Sequence, residues 1–146
     1  MTPDGKPENL YDLCDQVCDA IAARPLNYFQ SAFRAPVSCI YKSSFGCAPA
    51  EGEACGTAFC RAGWMISLLK KPKTTWTSVE IAEPAEDLLR AAGIPQTDID
   101  DLFAGGACSG KKYGTTEYVA EGIRGMRVFM KLHEDKLRAA PVKVED

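Results

Sequence analysis

The residues best suited to chemistry in this chain are Cys55 and Cys60, which flank the start of an apolar stretch. If that stretch is a helix, its free N–H groups and the positive end of its dipole lower the pKa of a nearby thiol. Cys55 lies just before the expected first turn, so it is the candidate nucleophile. A thiol enzyme usually needs a base, and His133 is the single histidine. The sequence therefore offers a Cys55–His133 catalytic dyad, against the alternative that Cys60 is a small buried residue and His133 packs at the edge of the core.

Metal binding is a second kind of chemistry that the seven cysteines allow. Cys14 and Cys18 are separated by one helical turn, so they share a helix face and can offer two thiolates to a zinc ion. However, no Cys-x-x-Cys pair occurs, and the same spacing arises when cysteine serves as a small hydrophobe on a buried face. We therefore expect no metal and no other cofactor, with a zinc-stabilised module held by Cys14 and Cys18 as the alternative.

Arg61 is the lone charged residue of the apolar stretch, and with Thr57 it forms a candidate site for an anion or another ligand at the expected helix start. A buried arginine must be paired, and we expect a carboxylate partner. The alternative to an anion site is therefore a structural ion pair or a position on an exposed edge of the helix. The candidate carboxylates form two groups further along the chain: Glu83, Glu86 and Asp87, and then Asp98, Asp100 and Asp101.

The elements that position these residues are predicted to be helices. Residues 57–69 are apolar or small except for Arg61 and Ser67, so this helix has no face for solvent and belongs at the centre of a domain. We expect a single, mainly α domain of about five helices around it, with tails at residues 1–7 and 141–146 that are flexible. The two loop regions also allow a small β-hairpin; residues 37–41 could form a short strand, and alternation at residues 77–81 allows another. The surrounding helices follow from apolar spacing, caps and prolines: residues 8–24, 27–35, 84–92, 97–103 and 116–140.

The last of these helices combines a long apolar stripe with a neighbouring row that contains Gly122 and Gly125. Because glycine in a helix costs about 1 kcal/mol relative to alanine, the two glycines indicate close packing. The stripe predicts the buried face: Val119, Ile123, Met126, Phe129, Met130, His133 and Leu137.

Composition limits the partners and the compartment. The net charge of −3 and the single short basic run at residues 70–73 argue against nucleic acid as a partner. No segment reaches the roughly 20 apolar residues that span a bilayer, and the polar N-terminus does not read as a signal peptide. We therefore expect no membrane association and a cytoplasmic protein whose cysteines stay reduced.

The patterned core and the lack of a convincing catalytic constellation favour a function in binding. We expect a protein partner or a homodimer formed through the last helix, with Tyr41, Phe45 and Trp76 as aromatic contact residues in the loops. The alternative function is that of a thiol-dependent enzyme or redox protein that uses Cys55.

Residues 55–64 read Cys-Gly-Thr-Ala-Phe-Cys-Arg-Ala-Gly-Trp, and this stretch resembles a Cys-Gly-Thr-x-x-Cys-x-Ala-Gly-Trp motif of small, uncharacterised bacterial and phage-encoded proteins. Residues 85–94 and 102–103 are similar to the helices that follow the motif in those proteins. The resemblance implies a helical fold and a bacterial or phage origin, and it implies no activity. Those proteins often carry histidine where this chain has Phe59, so the resemblance lowers the expectation of shared cysteine chemistry.

Overall fold

The computed structural model describes residues 5–25, 34–36, 57–70, 78–103 and 115–145. Within these residues the chain is mainly helical, as its sequence predicts. It forms six helices and one antiparallel pair of short strands, in which Ala35 lies opposite Ala58. The elements in chain order are α1 (Leu10–Ala23), β1 (Arg34–Pro36), β2 (Thr57–Phe59), α2 (Arg61–Leu69), α3 (Ser78–Ala91), α4 (Gln96–Phe103), α5 (Thr116–Leu132) and α6 (Glu134–Arg138).

The central position predicted for the apolar stretch is confirmed for α2. This helix packs against α1, α3 and α4, and all of its residues are buried except Ser67 and Leu68, which are half-buried. The predicted start of the helix at residue 57 is wrong, because residues 57–59 pair with β1 and are therefore extended. Cys60, not Thr57, occupies the N-cap position, with φ −76° and ψ −175°.

The amphipathic pattern at the start of the chain forms α1 as predicted. The side chain of Asn9 caps this helix, since its Oδ1 accepts a hydrogen bond from the N–H of Asp12 at 2.8 Å. The apolar face packs against α2, α5 and α6, and Arg127 of α5 forms an ion pair with Asp15 at its edge. The buried residues of α1 are Leu10, Leu13, Cys14, Val17, Cys18 and Ile21.

Residues 141–145, which the sequence assigned to a flexible tail, are hydrogen-bonded to the rest of the domain. Asn9 and Pro141 form an isolated antiparallel bridge. The N–H of Val142 donates to the carbonyl of Glu8 at 3.1 Å, and the N–H of Glu145 donates to the carbonyl of Leu69 at 2.7 Å. The segment after α6 therefore joins the start of α1 to the end of α2.

The region around Pro84 differs from its prediction. The sequence suggested a strand at residues 77–81 and a helix beginning at Pro84, whereas α3 begins at Ser78 and contains Pro84 in its interior. The alternation of Val79 and Ile81 was too short to separate a strand from a helix. The predicted end is confirmed, because Gly93 has φ +84° and its N–H donates to the carbonyl of Arg90 at 2.9 Å.

The last predicted helix is two helices, because its backbone departs from helical geometry at His133, which has φ −118° and ψ 22°. The sequence favours Thr116 as the cap of α5, but Thr115 is the cap, since its side chain accepts a hydrogen bond from the N–H of Tyr118 at 3.2 Å. The predicted apolar stripe is buried, except that Ile123 is half-buried. No helix in the described part of the chain has the length and apolar character needed to cross a membrane.

Candidate functional site

An open groove of about 420 Å³ runs between α4 and α5, and we call it the α4–α5 groove. It brings together residues from α2, α4 and α5 that lie far apart in the sequence. Its lining combines apolar side chains with charged ones: Arg61, Asp98, Asp101, Leu102, Glu121, Arg124, Gly125, Val128, Phe129 and Leu132.

The apolar part of the groove includes two side chains that are not covered. Val128 is 61% exposed and Leu132 is 68% exposed, and they are the exposed large hydrophobic residues of the described chain. They lie one helical turn apart on α5, beside the buried Leu102 and Phe129. Contiguous exposed apolar surface is typical of sites that bind other molecules, and these two side chains extend the apolar lining of the groove to the surface.

Val128 and Leu132 were not predicted as site residues, because they lie outside the apolar stripe that indicates the buried face of α5. The signal was present, because an apolar pair at i and i+4 on the otherwise charged face of an amphipathic helix predicts a second contact surface.

The rim of the groove carries more carboxylates than exposed cations. Glu121 pairs with Arg124 at 2.6 Å, and Asp98 lies 2.8 Å from Nε2 of His133. Asp101 is exposed and forms no hydrogen bond or ion pair with any residue that the structure describes. Among the lining residues that the structure describes, the rim therefore presents Asp98, Asp101 and Glu121 against the exposed guanidinium of Arg124.

Arg61 lies beneath this rim and is only 2% exposed. Its Nε and Nη2 donate to the carbonyl of Gly122 at 3.2 and 3.0 Å, and its Nη1 donates to the carbonyl of Leu102 at 2.8 Å. The carbonyl of Leu102 is in the last turn of α4, where carbonyls have no partner within the helix and a cation is favourable. The sequence predicted a carboxylate as the partner of Arg61 and did not predict these carbonyls. Through them Arg61 connects α2 to α4 and α5.

Gly125 makes room for the guanidinium of Arg61. A Cβ atom at this position would lie 2.2 Å from Nη2 and 3.0 Å from Cζ of Arg61. The predicted close packing at the glycine row is thus confirmed for Gly125, and the group that packs there is an arginine from another helix. The anion-binding role of Arg61 and Thr57 stays a prediction, and the side chain of Thr57 lies outside the described residues.

His133 joins the end of α5 to the rim of the groove. Its ring is 9% exposed, it lies within hydrogen-bond distance of Asp98, and its centroid is 5.1 Å from that of Phe129. These contacts place His133 at the edge of the core, which was the alternative to a catalytic role in the sequence analysis. Cys55 lies outside the described residues, so the Cys55–His133 dyad stays a prediction.

Three cysteines of the described chain are free and buried, and we call Cys14, Cys18 and Cys60 the buried thiols. Burial raises the pKa of Cys14 to about 12 and the pKa values of Cys18 and Cys60 to about 11. At Cys60 the N–H groups at the start of α2 lower the pKa, as the sequence suggested, but desolvation is the larger effect. The buried thiols are therefore protonated and unreactive at neutral pH.

The structure adds no evidence for the remaining predicted site residues, the metal ligands and the loop aromatics. The described residues contain no group of three or more histidine, cysteine or acidic side chains that could hold a metal ion, and a zinc site at Cys14 and Cys18 stays a prediction. The loop aromatics Tyr41, Phe45 and Trp76 lie outside the described residues.

No family model matches the chain, and no curated protein or solved structure is detectably similar to it. The resemblance of residues 55–64 to the bacterial and phage motif therefore stays a prediction.

Proposed function

We propose that this chain is a small protein-binding module, an accessory or regulatory protein that accepts a partner in the α4–α5 groove. The observation that carries the proposal is the exposure of Val128 and Leu132, at 61% and 68%, beside this groove. Burying apolar surface contributes about 25 cal/mol per Å², so covering these two side chains favours association.

The shape and chemistry of the groove support a protein partner over a catalytic role. Small-molecule sites usually enclose most of their ligand, whereas this groove leaves two large apolar side chains facing solvent. None of the buried thiols lines the groove, so no cysteine that the structure describes could act there as a nucleophile. A thiol-dependent enzyme that uses Cys55, and a zinc-stabilised module, remain the alternatives.

The compartment and origin belong to the same proposal. Free thiols at three positions support a reducing compartment such as a cytoplasm. A bacterial or phage origin rests on the motif at residues 55–64, and the exclusion of nucleic acid rests on the net charge of −3.

Site-specific photo-crosslinking tests the proposal. The full-length protein carries a photoreactive phenylalanine analogue at position 132 and is irradiated in a lysate of its source cells. The matched control carries the analogue at Glu83, which is exposed on α3 and does not line the groove. We expect adducts from position 132 that are absent from position 83 and are lost when Val128→Ser is added.

The adduct masses also identify the kind of partner. A product of twice the chain mass indicates a homodimer, and a product of another mass indicates a different protein. Identical adducts from both positions, or none from position 132, would contradict binding at the α4–α5 groove.

A further inference from the structure

We propose that the occupant of the α4–α5 groove is a basic amphipathic helix of a partner protein, with apolar residues one turn apart and lysine or arginine beside them. This inference rests on the proposed function and adds the chemical class of the partner.

The spacing of the exposed apolar residues suits a helix. Val128 and Leu132 are related by i and i+4, so they form a short ridge along α5. Leu102 and Phe129 line the groove beside this ridge. A partner helix that presents apolar residues at i, i+3 or i+4, and i+7 matches a surface of this type, which is the helix-in-groove mode of recognition.

The charges along the rim determine the sign of the charge that the partner carries. Asp98 and Asp101 lie on α4, while Glu121 and Arg124 lie on α5. The guanidinium of Arg61 is buried beneath the rim and hydrogen-bonded to two neutral carbonyls, so it keeps its positive charge but does not face a partner protein. The described lining carries three carboxylates against two guanidinium groups, of which only that of Arg124 is exposed. A lysine or arginine of the partner therefore meets an excess of negative charge, which speeds association and selects against acidic sequences.

A second copy of the chain fits the groove less well than a basic helix. A twofold contact places the same patch, with its excess of carboxylates, on both subunits, so the two patches repel each other. A stable interface also buries roughly 1,200–2,000 Å² in total. In the described chain only Val128 and Leu132 supply large exposed apolar side chains for such a contact.

The test uses two synthetic helical peptides of about 16 residues with identical leucine positions at i, i+4 and i+7. The flanking positions are lysine in one peptide and glutamate in the other. Each peptide is titrated with the full-length protein by fluorescence anisotropy, at low and at high salt. We expect the lysine peptide to bind at least about tenfold more tightly at low salt, with a difference that shrinks at high salt because rim charges are screened.

Two variants locate the binding on the groove. Val128→Ser with Leu132→Ser should abolish binding, and the exposure of both residues means that the fold survives, which the thermal midpoint verifies. Asp101→Asn should weaken the lysine peptide by about two- to fivefold, the size expected for one rim charge. The matched control is Asp19→Asn, an exposed aspartate of α1 that does not line the groove and should change binding less.

Each other outcome overturns the inference. Equal binding of both peptides, lost with Val128→Ser and Leu132→Ser, would leave the binding function intact and remove the basic partner. Equal effects of Asp101→Asn and Asp19→Asn would mean that overall charge, not the groove, attracts the peptide. Failure of the lysine peptide to bind also rejects the basic helix, while the crosslinking result separately decides the proposed function. Self-association that Leu132→Ser abolishes would identify a second copy as the occupant.

Discussion

Replacing Gly125 with alanine should destabilise the protein, although alanine is normally the better helix residue. The new Cβ would lie 2.2 Å from Nη2 of Arg61, so the guanidinium must move away. Moving it breaks its hydrogen bonds to the carbonyls of Gly122 and Leu102. Losing hydrogen bonds made by a charged donor costs about 1.5–3 kcal/mol. Alanine returns up to about 1 kcal/mol through helix propensity, so we expect a net loss of about 0.5–2 kcal/mol.

Urea unfolding of four proteins measures this effect: the wild type, Gly125→Ala, Arg61→Met and the double variant. Once methionine replaces Arg61, the guanidinium that opposes a side chain at position 125 is gone. Gly125→Ala should then be neutral or stabilise by up to about 1 kcal/mol. The control Ala120→Gly, at an exposed position of α5, should cost about 1 kcal/mol and calibrates helix propensity in the same helix.

The reasoning fails if Gly125→Ala has the same effect with arginine and with methionine at position 61. Such a result would show that the two positions are energetically independent, although a side chain at position 125 would contact the guanidinium of Arg61. A gain in stability from Gly125→Ala in the wild-type background would refute it directly.

Three further predictions follow from the same structure. The free energy of unfolding should decrease between about pH 9 and pH 11, because the buried thiols keep their protons in the folded state and lose them near their ordinary pKa of 9.0 once unfolded. Peptide mapping after alkylation of the folded protein at pH 8 should accordingly find these thiols unlabelled. Rapid labelling of the folded protein would contradict their burial. Asn9→Ala should cost about 1 kcal/mol in urea unfolding because it removes the side-chain cap of α1, and a change below about 0.3 kcal/mol would argue against the cap. The amides of Val142 and Glu145 should be protected in hydrogen exchange, since both donate to carbonyls of the domain, and exchange at the rate of an unstructured peptide would show that the segment after α6 is detached.

The sequence predicted the elements whose signal is local. The apolar spacing of α1 and the glycine after α3 each specify an element through neighbours within a few residues, and both predictions were confirmed. Residues 57–59 could not be assigned in this way. They continue the apolar run of α2, and only their pairing with β1, more than twenty residues earlier, makes them extended.

The candidate site was predictable only in part for the same reason. The glycine row of α5 indicated close packing, but nothing near Gly125 specified that Arg61 would fill the space. A carboxylate was the predicted partner of Arg61, whereas the carbonyl of Leu102 at the end of α4 also accepts from a cation, and a backbone carbonyl leaves no mark in the sequence. The spacing of Val128 and Leu132 was a usable signal, but it lies outside the stripe that predicts the buried face.

The packing of α1 against α5 and α6, which come last in the chain, has a consequence for how the protein is made. During synthesis α1 leaves the ribosome long before α5 and α6, the helices that cover much of its apolar face. About 100 residues separate α1 from the completion of these helices, which takes roughly 5–20 s at 5–20 residues per second. For that time a helix with Leu13, Val17 and Ile21 on one side has only part of its final cover. The apolar face of α1 is therefore exposed to other chains for longest during synthesis, and it is fully buried only when α5 and α6 are complete.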